Sequence, residues 1–215
     1  MAEDELADLR EELVQVVDGL YAVGCITATG GNVSARVPGA DEVLITPTQL
    51  FKGDLRPEIL SRIDLDGREL DPGAPSPSSE WRMHCAIYRA RPDVQAIVHA
   101  HAPQATVLVL TGLPFLPIAA EAVFVGDIPR APFIMPGTQE LARAVVDALG
   151  DGVAGLMQNH GLVVAASDLR RAANLVQIVE RTAEVIVNCY AVGGEPPVLP
   201  DDAIEALRKR GETMI

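Results

Sequence analysis

The stretch Val94-Gln95-Ala96-Ile97-Val98-His99-Ala100-His101-Ala102-Pro103 decides how the chain is read. Apart from Gln95 it is apolar up to His99, and Pro103 cannot continue a ladder, so the segment is a buried strand ending at two histidines. Alternate strand residues share a face. His99 and His101 therefore point the same way, whereas a two-residue step on a helix would turn them apart by about 200°. Two imidazoles on one face suit a metal ion, and His84 and His160 remain as sources of a third ligand. His160 is the better candidate. It sits in Met157-Gln158-Asn159-His160-Gly161, where Asn159 and Gly161 make a turn between the apolar runs 153–157 and 162–166. The plainer alternative is three unrelated histidines, each satisfied by a backbone carbonyl.

Composition narrows the classes. At 215 residues the chain fits one domain spanning 1–215, with no Ser/Gly-rich linker or charge block dividing it. A formal charge of -13 argues against nucleic acid, whose backbone demands a basic surface, so an anionic substrate must meet a local cationic pocket. No apolar run reaches the length of about 18 residues that a membrane span needs, and the opening Met1-Ala2-Glu3-Asp4-Glu5 is unlike a signal peptide. A cytoplasmic protein is expected. Cys25, Cys85 and Cys189 are odd in number, widely spaced and set among apolar residues, which points to free buried thiols.

Working outward, residues 5–23 carry a helical stripe of Leu6, Leu9, Leu13, Val16, Val17 and Leu20, closed by Gly24. Gly30-Gly31-Asn32 opens a short strand; the glycine pair is either a plain turn or a nest of N–H groups for an anion, with Asn32 adding a donor. A second strand, 43–45, stops at Thr46-Pro47-Thr48-Gln49, with Lys52 nearby. Residues 60–63 and 68–70 form a small hairpin. A Pro- and Gly-rich loop then delivers Ser78-Ser79-Glu80 to a helix over 81–91, which Ser78 or Ser79 caps. Glu80 has two readings, dipole complementation at a helix start or a carboxylate carried to the metal. His84, Trp81 and Tyr88 read as structural. Further helices follow over 103–110, 138–149, 167–192 (capped by Ser167) and 201–210, while 113–133 alternates short apolar runs with Gly and Pro.

Six motifs in this order carry a resemblance: Gly-Gly-Asn-Val-Ser-Ala-Arg at 30–36, Ile-Thr-Pro-Thr at 45–48, Ser-Ser-Glu-Trp-Arg-Met-His at 78–84, Arg-Pro-Asp-Val at 91–94, His-Ala-His at 99–101 and Asn-His-Gly at 159–161. Together they resemble the class II aldolase/adducin family, and most closely its sugar-phosphate aldolases. The resemblance implies an α/β fold of three layers, with a central, mainly antiparallel sheet flanked by helices. It implies a fourfold homotetramer with active sites at subunit interfaces. It also implies a divalent metal on His99, His101 and His160, usually zinc, with manganese or cobalt also suited to imidazoles. By the same resemblance Glu80 is the catalytic acid/base, and Gly31, Asn32, Thr48, Gln49, Ser78 and Ser79 form the phosphate site. Glutamate at 80 fits a lyase, because the epimerase branch carries aspartate there.

The implied reaction is aldol cleavage of a ketose 1-phosphate to dihydroxyacetone phosphate and an aldehyde. The chain departs from that pattern at Gln49, where a glycine is expected, at Ile118, where a tyrosine is expected, and in having no tyrosine after Tyr190. A decarboxylase acting on a hydroxylated or keto acid needs neither tyrosine, so it is the alternative on this scaffold. A non-enzymatic adducin-like scaffold is the third reading, and an intact histidine set argues against it.

Overall fold

The computed structural model describes residues 2–214. Seven strands form one sheet in the order β3-β2-β1-β4-β7-β6-β5. These are β1 (Asn32–Arg36), β2 (Glu42–Ile45), β3 (Ser61–Asp64), β4 (Ala96–Ala100), β5 (Arg130–Ala131), β6 (Ala154–Met157) and β7 (Gly161–Ala166). Every pairing is antiparallel except β5 with β6. The histidine strand β4 is thus central, between β1 and β7, and is buried along its whole length.

Period-two alternation sorts the strand residues between two cores. On one face Val33, Ala35, Val98, Ala100, Leu162 and Val164 pack with α1 (Ala2–Ala22), α3 (Pro103–Thr111) and α6 (Leu169–Ala191). On the other, Val43, Ile45, Ile97, Val163 and Ala165 meet α2 (Trp81–Ala90) and α5 (Gln139–Leu149). The i, i+4 stripes Met83/Ile87 of α2 and Leu141/Val145/Leu149 of α5 supply this second layer of helices. The expected three-layer α/β arrangement is what is found.

Several local expectations need correction. The long helix α6 is capped by Asp168, whose side chain accepts from Arg171 N at 2.7 Å, while Ser167 only donates to that carboxylate. A carboxylate is the stronger acceptor for an orphan helix N–H. The expected hairpin keeps β3, but its return survives as a single bridge, Ile63 to Glu69. The stretch 113–133 contains two elements that alternation did not reveal, α4 (Ala120–Val125) and the two-residue β5. The final helix, α7 (Asp201–Met214), runs past 210. Cys25 and Cys85 are free and buried as expected, their thiols pushed up by burial to about 11 and about 12, but Cys189 is only half-buried.

Candidate active site

Strand register brings the histidines together. His99 sits in β4 directly opposite Asn32 of β1 on one side and Val163 of β7 on the other. His101 follows one residue beyond the strand, where α3 begins. That helix start is anchored by Glu180 of α6, whose carboxylate accepts from Gln104 N and Ala105 N at 2.9–3.0 Å. His160 comes from the β6–β7 turn, which Asn159 makes tight by adopting φ +56°, a left-handed conformation that asparagine tolerates. Two glycines give the rings room. A Cβ on Gly30 would lie 2.6 Å from His101 Nδ1, and one on Gly161 would collide with the Ala100 carbonyl oxygen and come within 3.3 Å of His99 Cε1.

The ligand atoms of His99, His101 and His160 all lie within 4.8 Å of one another. His99 Nε2 and His101 Nε2 are 3.0 Å apart, close to the edge of roughly 3.3 Å that tetrahedral coordination at about 2.0–2.1 Å implies. His99 Nδ1 donates to Leu162 O at 3.0 Å, which leaves Nε2 with its lone pair toward the cluster. Burial pushes the His99 imidazolium down to about 3 against the attraction of Glu80, so the ring is neutral at pH 7. Glu80 completes the cluster. Its Oε2 is 3.2 Å from His99 Nε2 and its Oε1 3.2 Å from His160 Nε2.

Burial pushes the Glu80 carboxyl up, but His99, His160 and the Asn32 amide together hold it below the usual carboxylate range. The ionised Glu80 carboxylate faces the His99 Nε2 lone pair, and Glu80 Oε1 and His160 Nδ1 are buried without hydrogen-bond partners. A cation among these atoms removes that repulsion, so the donor set fits a divalent metal by charge as well as by spacing.

Behind Glu80 runs a chain of buried hydrogen bonds absent from the sequence reading. Asn32 Nδ2 donates to Glu80 Oε2 at 2.9 Å, and Asn32 Oδ1 accepts from His84 Nε2. His84 Nδ1 then accepts from Ser34 Oγ at 2.6 Å, which in turn accepts from the Tyr88 hydroxyl at 2.9 Å. One proton arrangement satisfies every link, with a neutral His84, whose imidazolium burial pushes down to about 4. His84 and Tyr88 are structural, as expected, but their load is the orientation of the Asn32 amide and through it the Glu80 carboxylate.

The remaining expected residues line a cavity of about 280 Å³ beside the cluster: Gly31, Asn32, Thr48, Gln49, Ser78 and Ser79, together with Glu80, His101 and His160. Two expectations change here. The N-cap of α2 is Glu80, without a side-chain capping bond; Ser78 Oγ accepts from Glu80 N at 3.3 Å, and Ser79 is left exposed to the cavity. Gly30 N donates to Thr27 Oγ1 at 2.9 Å and is not available to an anion. Gln49 adopts φ +56°, so its backbone keeps the conformation that glycine favours. A larger cleft of about 650 Å³ between α6 and residues 118–121 has carboxylates but no imidazole in its wall, so size alone does not mark the chemistry.

The histidine cluster and its buried carboxylate define a metal-competent site on an antiparallel α/β sheet, and sequence comparison places that combination. Residues 11–187 match the family described as Class II Aldolase and Adducin N-terminal domain, and the chain belongs to this family. It is an aldolase-type carbon–carbon lyase. Over 207 residues it is 36% identical to the 5-methylthioribulose-1-phosphate/5-deoxyribulose-1-phosphate aldolase of Rhodospirillum rubrum, covering 95% of this chain and 91% of that one. It is 34% identical to the 3-oxo-tetronate 4-phosphate decarboxylase of Escherichia coli, over 87% of this chain and 89% of that one. A solved L-fuculose 1-phosphate aldolase superposes with a TM-score of 0.87 at 31% identity, over 95% of this chain and 96% of that one.

Proposed function

We propose that the enzyme cleaves a ketose 1-phosphate reversibly into dihydroxyacetone phosphate and an aldehyde. The observation that carries this reading is the Glu80 carboxylate, buried and 3.2 Å from two of three converging histidines, at the wall of a donor-lined cavity. His99, His101 and His160 would hold the metal, zinc by preference and manganese or cobalt as substitutes. When bound, the ion supplies Lewis acidity that stabilises negative charge on a ketone oxygen by several kcal/mol. Three protein ligands leave a coordination position for substrate, as a catalytic site requires.

The chain's own groups do the rest. In condensation, ionised Glu80 removes the proton from the carbon next to the ketone; in cleavage it returns that proton to the same carbon. Asn32, held by His84, keeps the carboxylate turned toward that carbon. Thr48, Gln49, Ser78, Ser79 and the Gly31 amide receive the phosphate, at about 1.5–3 kcal/mol for each charge-assisted hydrogen bond. Ile118, where the resemblance led to a tyrosine, lies in the wall of the larger cleft beside α6, and no tyrosine lines the cavity beside the cluster. An aldehyde half without hydroxyls, of the kind the name of the Rhodospirillum rubrum relative describes, fits that lack. A fourfold tetramer acting in the cytoplasm, with sites between subunits, belongs to the same reading.

A decarboxylase is the second reading, favoured by the Escherichia coli relative and by the same lack of tyrosines. Metal-loaded protein incubated with a panel of ketose 1-phosphates and phosphorylated keto acids separates the two. Release of an aldehyde together with dihydroxyacetone phosphate from a ketose 1-phosphate supports the aldolase. Release of carbon dioxide from a phosphorylated keto acid, with no ketose 1-phosphate cleaved, replaces that reading with the decarboxylase, even though a 3-oxo-tetronate 4-phosphate would leave dihydroxyacetone phosphate behind as well.

A further inference from the structure

Only two of the 17 cationic residues are lysines, Lys52 and Lys209. Lys209 is exposed on α7 and paired with Glu205, whereas Lys52 is 2% exposed. Lys52 opens a single 3-10 turn (Lys52–Asp54) between β2 and β3, and its backbone N–H donates to Ala28 O at 2.8 Å. The side chain runs beneath the loop that follows β2, where Nζ donates to Pro47 O at 2.9 Å and, weakly, to Leu50 O at 3.5 Å. An ammonium has three donors, so one remains. No carboxylate of the described residues pairs with it, and burial alone pushes the group down to about 8, leaving it charged at neutral pH.

A buried cation without a counter-charge costs several kcal/mol, and such a cost persists where something else supplies the anion. Lys52 lies in the wall of the cavity that also contains Thr48, Gln49, Ser79 and Glu80, and it is the only lysine or arginine there. Its two carbonyl acceptors, Pro47 O and the weaker Leu50 O, bracket Thr48 and the left-handed Gln49.

We propose that Lys52 is the cationic binding residue for the substrate's phosphoryl group. It places one buried positive charge behind the Thr48–Gln49 loop in a protein of net charge -13. This rests on the aldolase reading and adds to it the residue that makes a dianion welcome in an acidic protein. It also gives the glutamine at 49 a physical setting: Lys52 braces the loop that an intrinsically permissive glycine would otherwise relax.

The probe is inorganic phosphate added to metal-loaded protein labelled with 15N-lysine, in which the two Nζ signals are assigned by Lys209→Arg. Phosphate is expected to shift the Lys52 signal along a saturating curve and to leave Lys209 unmoved. Lys52→Met is expected to weaken phosphate binding in calorimetry at least fivefold with metal content unaltered. If phosphate binds but the Lys52 signal stays still, or if folded Lys52→Met loses less than fivefold, Lys52 is only a loop brace and the proposal falls while the aldolase reading stands. Should Lys52→Met fail to fold, the resonance in the unsubstituted protein decides alone. If millimolar phosphate does not bind the unsubstituted protein at all, the phosphorylated-substrate reading fails and takes this proposal with it.

Discussion

The two faces of the sheet are made by the same strands and could hardly differ more. Toward α1, α3 and α6, β1 and β4 present Val33, Ala35, Val98 and Ala100, all members of one apolar cluster. Toward α2 and α5 the alternate residues are Asn32, Ser34, Ile97 and His99, and the polar ones are buried as deeply as the aliphatic ones. One face gains stability by excluding water; the other gives up some of that gain to bury Asn32, Ser34 and His99, each matched by a named partner, and leaves Glu80 Oε1 and His160 Nδ1 unmatched beside them. The comparison teaches that this site is a line of buried polar side chains across a hydrophobic layer, with its far end at Tyr88 and its reactive end at Glu80.

The strongest way to break the polar face is at its metal end. His160→Ala is expected to lose the bound divalent ion and with it detectable turnover, because two imidazoles remain where three converge. Elemental analysis of the purified variant checks this, and unchanged stoichiometry would remove His160 from the ligand set. The fold should survive with little change in thermal midpoint, since the two apolar clusters do not pass through the metal.

Next is Glu80→Gln, which keeps shape and the Asn32 contact but cannot cycle a proton. Deuterium exchange at the carbon beside the ketone of dihydroxyacetone phosphate is expected to fall by roughly 10²–10⁴-fold, with metal retained. Exchange at the original rate would return Glu80 to the role of a helix-start carboxylate.

How much of this was legible follows from the range of each interaction. The H-x-H pair, the strand that carries it, the turn histidine and the glutamate at the helix start are local patterns, readable from alternation and from turn residues. The network behind Glu80 is not local. Ser34 reaches His84 and Tyr88 across separations of 50 and 54 residues, and no periodicity in β1 or α2 announces that these faces will meet. A buried serine in a strand and a histidine on a helix each read as ordinary. Lys52 was visible only as a cation near a loop, because its burial depends on how that loop closes over it. The caps went to serines by composition, whereas in the fold nearby carboxylates took both places, Asp168 with its side chain and Glu80 by position.

A smaller effect separates the faces by pH. His84 is neutral in the fold, its pKa about 4 against an ordinary value of 6.5. The unfolded chain therefore binds more protons between these values, so this stabilisation is full above about pH 6.5 and is lost as pH falls toward 4. At about 1.4 kcal/mol per pKa unit the loss is roughly 3 kcal/mol. Denaturant titrations of metal-free protein at pH 7 and pH 5 test it by difference. The unsubstituted protein should lose more stability over that interval than His84→Gln, and equal losses would show that His84 is not held neutral by the fold.

The smallest expected effect lies within β1 itself, where Ser34 and Ala35 are neighbours on opposite faces. Ser34→Ala removes the hydroxyl that bridges His84 Nδ1 and the Tyr88 hydroxyl, leaving two buried polar groups unpaired at a cost of about 1–3 kcal/mol. Ala35→Ser adds a hydroxyl to the apolar face, where no polar side chain of that cluster can receive it, at a similar cost. In stability the two substitutions are near equals, which makes them a controlled pair. They should part in catalysis. Ser34→Ala frees the His84 ring, loosens the Asn32 amide and so lets the Glu80 carboxylate turn, lowering kcat several-fold with KM little changed; Ala35→Ser should leave kcat within twofold. Similar kcat losses in both would mean that general destabilisation, rather than orientation along the polar line, limits the reaction.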